Sequence, residues 1–280
     1  MINDKKFYVI ATPIGNMQEV NPRIIDSIKK CSYLFCEDTR VTQKFLNLIN
    51  LTTPWPKLIS YHKFNEKIKL NSLLKLVDDF TCGLISDAGY PSISDPGKII
   101  INEIRQNLKN VKIEVINCAS AVLCALVGSG FNNQNFYFHG FLNKQTSFAL
   151  NELTLLKKIN TTLIIFESVH RIIKTLNLIK KIFLNNKICV ARELTKKNET
   201  YYFGTIDEII DKLIIKGEFV ILIDNTENLN LNCINNQNIV DIQELVNLGL
   251  RLKDACKFIA KKENLNASDL YEHFQKEKYE

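Results

Sequence analysis

The sequence predicts an α/β protein whose first half builds a mostly parallel sheet. Short β-rich runs alternate with helical patterns from Phe7 to Ile116, and parallel strands need such crossover helices. Two of these runs end in loops dense in turn residues, Thr12–Asn16 and Ser86–Gly97. Loops at the carboxyl ends of strands are where open α/β sheets bind ligands.

The first half is predicted to contain five strands separated by helices. Asn21-Pro22 starts the first helix, because Ile24, Ile25 and Ile28 follow at helical spacing. Phe45, Leu46 and Ile49 give the second helix its apolar face. The predicted strands are Phe7–Ile10, Tyr33–Cys36, Lys57–Tyr61, Cys82–Ile85 and Lys112–Ile116, and the later helices are Lys67–Val77 and Lys98–Leu108.

The second half begins with a small-residue helix that ends at Gly128-Ser129-Gly130, which resembles a hinge. Asn225–Asn238 is predicted to be a polar linker. The predicted strands are Phe136–His139, Thr161–Phe166, Lys187–Ala191, Thr200–Phe203 and Glu218–Ile223, with helices between most of them, including Ile206–Ile214. Ile239–Leu248, Leu252–Glu263 and Ala267–Gln275 predict a helical tail.

Composition narrows the function classes. The chain of 280 residues is 46% hydrophobic and 24% charged, as in soluble globular proteins. The start runs directly into a strand without a signal peptide, and no apolar run has the length of a membrane span. The eight cysteines form no C-x-x-C pair, which favours reduced structural thiols in a cytoplasmic protein and does not favour a metal site.

The net charge of +6 is unevenly distributed. Residues 1–225 hold 29 Lys and Arg against 21 Asp and Glu, whereas residues 226–280 hold 7 against 9. A mildly basic body suits an anionic partner such as RNA. The short helices of the tail are compatible with a helix-turn-helix, but the tail's net charge of −2 disfavours strong binding to nucleic acid.

The turn-rich loop Ser86–Gly97 is the centre of the predicted site. Gly89 permits a tight turn and close approach of the main chain to a ligand. Asp95-Pro96 is predicted to cap the following helix. Together with Thr12–Asn16 and the small-residue junction at 117–121, this loop is expected to converge on a nucleotide-like ligand.

An acidic pair, Glu37-Asp38, follows Gly15 by about twenty residues, the spacing of a ribose-binding acid in Rossmann folds. The sequence contains neither G-x-G-x-x-G nor the P-loop motif, so a dinucleotide or nucleoside-triphosphate fold has little support.

Two segments of the second half, 166–171 and 191–197, place basic residues at the ends of apolar strands. Arginine and lysine clustered in this way suit phosphate contacts, although solvated loop charges would have the same pattern. His170 is compatible with a general base or with a hydrogen-bonding role beside Glu167. His62 is similarly ambiguous.

Five motifs occur in an order that resembles one family, the bacterial small-subunit ribosomal RNA cytidine 2′-O-methyltransferases of the tetrapyrrole-methylase fold. The similarity runs from Phe7 to about Ile223, and the helical tail resembles the family's C-terminal extension. The motifs are Thr12–Asn16, Glu37–Arg40, Ser86–Pro91 with Ser94–Gly97, Phe166–Arg171 and Ala191–Lys197.

The resemblance implies two α/β domains with S-adenosylmethionine in the cleft between them, which we place at 1–118 and 119–225, followed by a linker and tail at 226–280. It also implies a homodimer, and a cytidine of the 16S rRNA decoding region, within the 30S subunit, as substrate. The implied cofactor residues are Pro13, Ile14, Asp87, Ala88, Gly89, Tyr90, Ser120, Ala121, Phe166 and Leu194. The implied RNA contacts are Arg40, Arg171, Arg192, Lys196 and Lys197.

The reaction requires the ribose 2′-OH to be aligned and its proton accepted. Glu167, His170 and Glu37 are the candidate bases. The family usually has Pro-Gly-Pro where this chain has Asn117-Cys118-Ala119, so we expect Cys118 to weaken cofactor binding if that position needs a positive φ.

Three alternatives remain open. A tetrapyrrole methylase and a diphthamide-type methylase would share the fold. An RNA-binding ribosome-assembly factor that has lost catalysis would explain the altered residues at 117–119.

Overall fold

The computed structural model describes residues 5–52, 54–226, 236–263 and 265–277. Its first sheet is entirely parallel, with strand order β3-β2-β4-β1-β5. Its strands are β1 (Lys5–Ile10), β2 (Tyr33–Cys36), β3 (Lys57–Ser60), β4 (Cys82–Ile85) and β5 (Val111–Ile116). The helices between them are α1 (Pro22–Lys30), α2 (Thr39–Leu48), α3 (Glu66–Asp79) and α4 (Lys98–Asn107).

Helices cover both faces of this sheet. Successive side chains of β1 point to opposite faces, so each face receives its own set of core residues. Phe7 and Val9 pack with residues of α3 and α4, whereas Tyr8 and Ile10 pack with residues of α1 and α2. Because all five strands are parallel, their carboxyl ends lie at one edge, and that edge carries the predicted site loops of the first half.

The second sheet is mixed, with strand order β6-β7-β10-β8-β9. The strands are β6 (Phe136–Phe141), β7 (Thr162–Ser168), β8 (Lys187–Arg192), β9 (Thr200–Gly204) and β10 (Glu218–Asp224). The helices are α5 (Ala121–Ser129), α6 (Thr146–Leu156), α7 (Ile172–Ile182) and α8 (Ile206–Lys212). Because β10 is antiparallel to both β7 and β8, these two strands run in the same direction and end at the same edge as the start of β10.

The tail consists of α9 (Asn236–Asn247), α10 (Leu252–Glu263) and α11 (Ala267–Glu277), which share their own apolar core around Ile242, Ile259 and Leu270. The two sheets and their helices form one compact unit up to Asp224, and the tail forms another together with Lys158–Thr161. The three tail helices are thus confirmed, whereas the domain boundaries at 118/119 and 225/226 stay a prediction.

Two local predictions need correction. Asp95-Pro96 does not cap α4, since the residue preceding that helix is Gly97, with φ 139°. Of the predicted linker, residues 236–238 belong to α9 and residues 227–235 lie outside the described part.

Seven of the eight cysteines lie in the described part and all seven are free thiols, while Cys233 lies outside it. Among the described helices none is both long and apolar enough to span a membrane.

Candidate functional site

A cavity of about 370 Å³ lies where the loops of the first sheet meet the strand ends of the second. Its volume is within the range of small-molecule sites. The lining residues of the first half are Ile14, Glu37, Asp87, Ala88, Ile93, Ser94, Asp95 and Ala121. Those of the second half are Phe141, Phe166, Glu167, Ser168, Leu194, Glu218, Phe219 and Val220.

Two loops of the first sheet hold each other at this cavity. The N–H of Thr12 donates to the carbonyl of Gly89 (2.9 Å), and the N–H of Gly89 donates back to the carbonyl of Thr12 (3.0 Å). Ser86 closes the turn, since its Oγ donates to the carbonyl of Gly89 at 2.8 Å. The φ of Gly89 is 74°, so this turn requires a glycine. The predicted role of Gly89 is therefore to shape the loop.

Beyond Gly89 the same loop continues through an unusual backbone. Ser92 (φ 68°) and Ser94 (φ 67°) have left-handed conformations, and Gly97 follows at φ 139°. Such conformations cost about 1–2 kcal/mol each for residues other than glycine. They turn the chain so that Ser94 and Asp95 face the cavity.

The junction after β5 is fixed by Tyr90. The Tyr90 hydroxyl donates to the Cys118 carbonyl (3.2 Å) and accepts from the Cys118 N–H (3.4 Å). The Cys118 thiol contacts the carbonyl of Glu19 (Sγ–O 3.5 Å), and Cys118 is not among the residues that line the cavity. The described non-glycine residues with positive φ do not include Cys118. The Cys118 backbone therefore has no left-handed strain, so the condition under which it was expected to weaken cofactor binding is not met.

One wall of the cavity is acidic. Burial raises the pKa of Glu37, and the nearby carboxylate of Asp87 adds to the rise. Burial likewise raises the pKa of Asp87, although its Oδ1 accepts a hydrogen bond from the N–H of Asp38 (3.3 Å). The pKa of Asp95 rises to about 6, through burial first and the charge of Glu37 second. Three carboxyl groups with raised pKa on one wall favour a cationic ligand.

The second half lines the cavity with mostly apolar side chains, beside Glu167, Ser168 and Glu218. The ring of Phe166 makes edge contacts with Phe138 (4.8 Å between centroids) and Phe141 (5.7 Å). Leu194 is held between Glu193 (φ 53°) and Thr195 (φ 63°), both left-handed. Phe166 and Leu194 thus give this part of the lining an apolar surface.

The loop that carries Leu194 is also tied to the loop after β1. The Thr195 hydroxyl accepts the N–H of Asn16 (3.2 Å), and a Cβ at Gly15 would collide with the side chain of Lys196. Lys196 Nζ in turn pairs with Glu193 (2.8 Å) and Glu218 (2.9 Å). Lys196 thus joins the loop after β8 to the start of β10 and packs against Gly15, which leaves its charge committed to two carboxylates.

The three candidate bases differ in burial and in their position relative to the cavity. Glu167 is only 2% exposed, and its carboxylate accepts from the Thr175 hydroxyl (2.6 Å) and the Ser168 N–H (2.7 Å). Glu167 also lines the cavity. His170 is exposed and lies outside the cavity lining. Glu37 lines the cavity, and burial raises its pKa.

The residues predicted to contact RNA differ in whether their charges are engaged within the protein or exposed to solvent. Arg192 is 4% exposed and donates to the carbonyls of Lys216 (2.6 Å) and Asn198 (3.3 Å), which contradicts a phosphate-binding role. Arg171 donates to the carbonyls of Leu142 (3.0 Å) and Asn143 (3.2 Å) and pairs with Glu167. Both guanidinium groups hold the protein's own backbone in place.

Two of the predicted cations face solvent. The side chain of Arg40 is 84% exposed while it pairs with Asp38 (2.7 Å), the residue that caps α2. Lys197 is exposed as well. The hydrogen bonds from Arg40 lower the pKa of Asp38 to about 2, so the pair stays ionised.

Six of the ten predicted cofactor residues line the cavity: Ile14, Asp87, Ala88, Ala121, Phe166 and Leu194. The other four, Pro13, Gly89, Tyr90 and Ser120, lie behind them in the same loops. Sequence reasoning missed Asp95, which lies in a loop it had singled out, and Glu218, Phe219 and Val220. The position of β10 between β7 and β8 brings these last three to the site, and the order of strands in the sheet is not visible in the sequence.

A larger hollow of about 530 Å³ lies at the opposite, amino-terminal edge of the first sheet. It is lined by Lys5, Lys6, Lys30 and Asp79 among others, and it receives none of the loops that follow the strands. Within the described residues no group of three or more His, Cys, Asp or Glu could hold a metal ion.

Comparison with known proteins is consistent with this geometry. A family model described as tetrapyrrole (corrin/porphyrin) methylases matches residues 6–210. Ribosomal RNA small subunit methyltransferase I of Mycoplasma genitalium is 42% identical over 96% of this chain and 98% of its own length. The protein of the same name from Mycoplasma pneumoniae is 41% identical over 95% and 97%.

The chain belongs to the tetrapyrrole methylase family, in the group of small subunit methyltransferase I. The predicted membership and the prediction of a methyltransferase are thus confirmed. Among solved structures, diphthine synthase (TM-score 0.59, 10% identity, covering 78% of this chain and 89% of the other) and the methyltransferase CobJ (0.58, 12%, 78% and 93%) have the same fold. At these identities the likeness to other tetrapyrrole methylases shows the fold alone.

Proposed function

We propose that the protein transfers the methyl group of S-adenosylmethionine to the ribose 2′-OH of a cytidine in the decoding region of 16S rRNA. The observation that carries this proposal is the cavity, in which three buried carboxyl groups and several aromatic and aliphatic side chains share one lining at the carboxyl ends of a parallel sheet. The names of the sequence relatives support the RNA substrate.

The cavity residues fit this cofactor. S-adenosylmethionine supplies an electrophilic methyl group on a sulfonium, which is a cation. Glu37, Asp87 and Asp95 would balance that charge, and Phe166 and Leu194 would take the adenine. The turn at Gly89 and the junction at 117–121 supply backbone groups in place of the missing glycine-rich fingerprint.

Glu37 is the proposed proton acceptor for the ribose hydroxyl. A carboxylate whose pKa is raised by burial is a stronger base than a solvated one. Asp95, whose pKa is about 6, is suited to share the proton. Glu167, at the cavity lining, holds Arg171 and α7 in place.

Arg40 and Lys197 are the proposed phosphate contacts, because their charges reach solvent. Lys196, Arg171 and Arg192 leave that set, since their charges are engaged within the protein. The substrate is proposed to be 16S rRNA within the 30S subunit, acted on in the cytoplasm, where ribosomes assemble, by a homodimer.

The test uses the purified full chain in two assays. Calorimetry measures binding of S-adenosylmethionine, and labelled methyl transfer to undermethylated 30S subunits is mapped to a single ribose. Asp87→Ala should abolish cofactor binding. Arg40→Ala should weaken RNA engagement while leaving cofactor binding intact. Glu37→Gln should reduce kcat by about 10²-fold or more and should weaken cofactor binding less than Asp87→Ala does.

The same assays address the alternatives. Transfer to a precorrin or to a protein in place of rRNA would refute the proposed substrate. Binding of cofactor without transfer to any ribose would indicate an assembly factor that has lost catalysis. The absence of left-handed strain at Cys118 argues against that last alternative, which the altered residues at 117–119 motivate.

A further inference from the structure

Two large apolar side chains, Phe64 and Ile68, stand out from the protein surface. Phe64 is 91% exposed and Ile68 is 83% exposed, the highest values among the large apolar side chains in the part of the chain described. Hydrogen bonds from the N–H groups of Asn65 and Glu66 to the carbonyl of His62 begin a helical turn ahead of α3. Phe64 and Ile68 therefore lie one turn apart, as neighbours on the same helix face.

The segment that presents Phe64 is rigidly held. The Asn65 side chain accepts the N–H of His62 (2.8 Å) and donates to the carbonyl of Ser60 (3.2 Å). The ring of His62 meets the ring of Phe64 edge-on at 6.0 Å. An exposed aromatic ring in a fixed position is ready to receive a partner at a low cost in conformational entropy.

Phe64 also lies beside the rim of the cavity. Phe64 follows β3, whose last residue Ser60 is paired with Cys36, and the N–H of Tyr61 donates to the Cys36 carbonyl (2.7 Å). Glu37, the residue after Cys36, lines the cavity, and the charge of Lys63 opposes the rise in the pKa of Glu37. Lys63 and Lys67 are exposed on either side of Phe64. Arg40, three residues beyond Glu37, adds a third exposed cation.

We propose that Phe64 is a stacking platform for an unpaired base of the RNA substrate, next to the nucleotide whose ribose enters the cavity. Ile68 extends the apolar surface, and Lys63 and Lys67 contact the phosphates that flank the stacked base. The inference rests on the proposed function, because it needs an RNA substrate at this rim. It adds a positioning residue for which neither the motifs nor the cavity lining had assigned a role.

The chemistry of this surface favours RNA over a protein partner. Aromatic rings that stack unpaired bases, interleaved with cations that contact the backbone, are the usual means of holding single-stranded RNA. A stable protein–protein interface needs a larger continuous apolar area than the two side chains Phe64 and Ile68 provide. Stacking on an aromatic ring changes affinity by about 5- to 150-fold per base, enough to set the register of the target nucleotide.

The experiment compares Phe64→Ala, Phe64→Leu and Phe64→Trp with the control Leu184→Ala, which removes another exposed apolar side chain (74% exposed) on the second half of the chain. Calorimetry of S-adenosylmethionine binding reports the cavity, and the KM for undermethylated 30S subunits reports RNA engagement. Phe64→Ala and Phe64→Leu should each raise that KM by about 5-fold or more, whereas Phe64→Trp and Leu184→Ala should leave it within about 2-fold. Cofactor affinity should stay the same in all four.

A second readout is direct. The fluorescence of Phe64→Trp should be quenched when RNA binds, over the background of the single native Trp55. An unchanged KM in Phe64→Ala overturns the inference while wild-type methyl transfer still upholds the proposed function. Full activity in Phe64→Leu would indicate an apolar contact with a ribosomal protein and would likewise overturn stacking. Absence of transfer to 30S by the wild type would instead refute the proposed function itself.

Discussion

The Tyr90 hydroxyl forms hydrogen bonds with both backbone groups of Cys118: it donates to the carbonyl oxygen (3.2 Å) and accepts from the N–H (3.4 Å). This pair connects the loop after β4 to the junction after β5, across the intervening strand β1. Ser120 and Ala121 follow directly on that junction, and Ala121 lines the cavity. The geometry of one cavity wall thus depends on a side chain from a different loop.

Tyr90→Phe should therefore loosen the junction without unfolding the protein. Each lost hydrogen bond is worth about 1 kcal/mol, so we expect cofactor affinity to fall by about 3- to 30-fold, as measured by calorimetry. Tyr137→Phe, on the exposed strand β6, is the matched control and should bind as the wild type does. Equal affinity in both variants would show that the junction holds its shape without Tyr90.

Cys118→Gly should not improve the site. The Cys118 backbone is free of left-handed strain, and its thiol contacts Glu19. A glycine would add chain entropy to the unfolded state, which costs about 0.5–1 kcal/mol of stability. We expect cofactor affinity within about 2-fold of wild type and a slightly lower Tm. A tenfold gain in affinity would mean that Cys118 does obstruct the ligand.

Gly89→Val should abolish cofactor binding. A side chain at φ 74° is strained, and its Cβ would contact the side chain of Ile14, which lines the cavity. The strain would also break the paired hydrogen bonds with Thr12. Gly130→Val is the matched control, because Gly130 has φ 65° but nothing within 4 Å of its Cβ position. It should lose stability to a similar extent, about 1–2 kcal/mol, and keep its cofactor affinity; full affinity in Gly89→Val would refute the assignment of the site.

Asp95 should make cofactor binding depend on pH. Its pKa is about 6 because burial disfavours the charged form, so it becomes neutral as the pH falls below that value. A cationic ligand prefers the carboxylate, and affinity should therefore decrease from pH 7 to pH 5. Asp95→Asn should flatten this dependence, leaving a smaller one from Glu37 and Asp87, whose pKa values are also raised. Calorimetric titrations that are flat in wild type over this range would contradict the cationic site.

The same substitution should change stability in a predictable direction. The folded protein binds a proton at Asp95 more readily than the unfolded chain does, so this group's contribution to stability declines as the pH rises from about 4 to about 6. At pH 7.5 Asp95→Asn should therefore have a higher Tm than wild type, and at pH 4 the difference should shrink.

Lys196 and its neighbour Lys197 should behave oppositely when replaced by alanine. Lys196→Ala leaves Glu193 and Glu218 facing each other without a cation, so it should lower Tm and cofactor affinity by loosening Leu194. Lys197 is exposed, and Lys197→Ala should raise the KM for 30S subunits with Tm unchanged. If Lys196→Ala altered only the KM for RNA, Lys196 would have to be assigned as a phosphate contact and not as a structural ion-pair residue.

Secondary structure was largely predictable from the sequence, and the reason is local. Period-two and period-3.6 apolar patterns and turn residues identify elements directly, as at α10, predicted and found at Leu252–Glu263. The helix cap at Asn21 was likewise found, with its side chain accepting the N–H of Ile24. Asp95-Pro96 misled because a cap-like sequence can equally turn a loop, which the flanking left-handed residues do here.

The sequence by itself determined the alternation of strands and helices, the loops that carry the chemistry and, through ordered motifs, the family. It did not determine what each charged side chain does. Whether an arginine at a strand end reaches solvent, as Arg40 does, or holds carbonyls inside, as Arg192 does, depends on which segments pack around it. Tertiary structure alone also decided that β10 brings Glu218 to the cavity and that burial raises the pKa of Asp95. Desolvation and pairing arise from neighbours distant in the chain, and no local pattern encodes them.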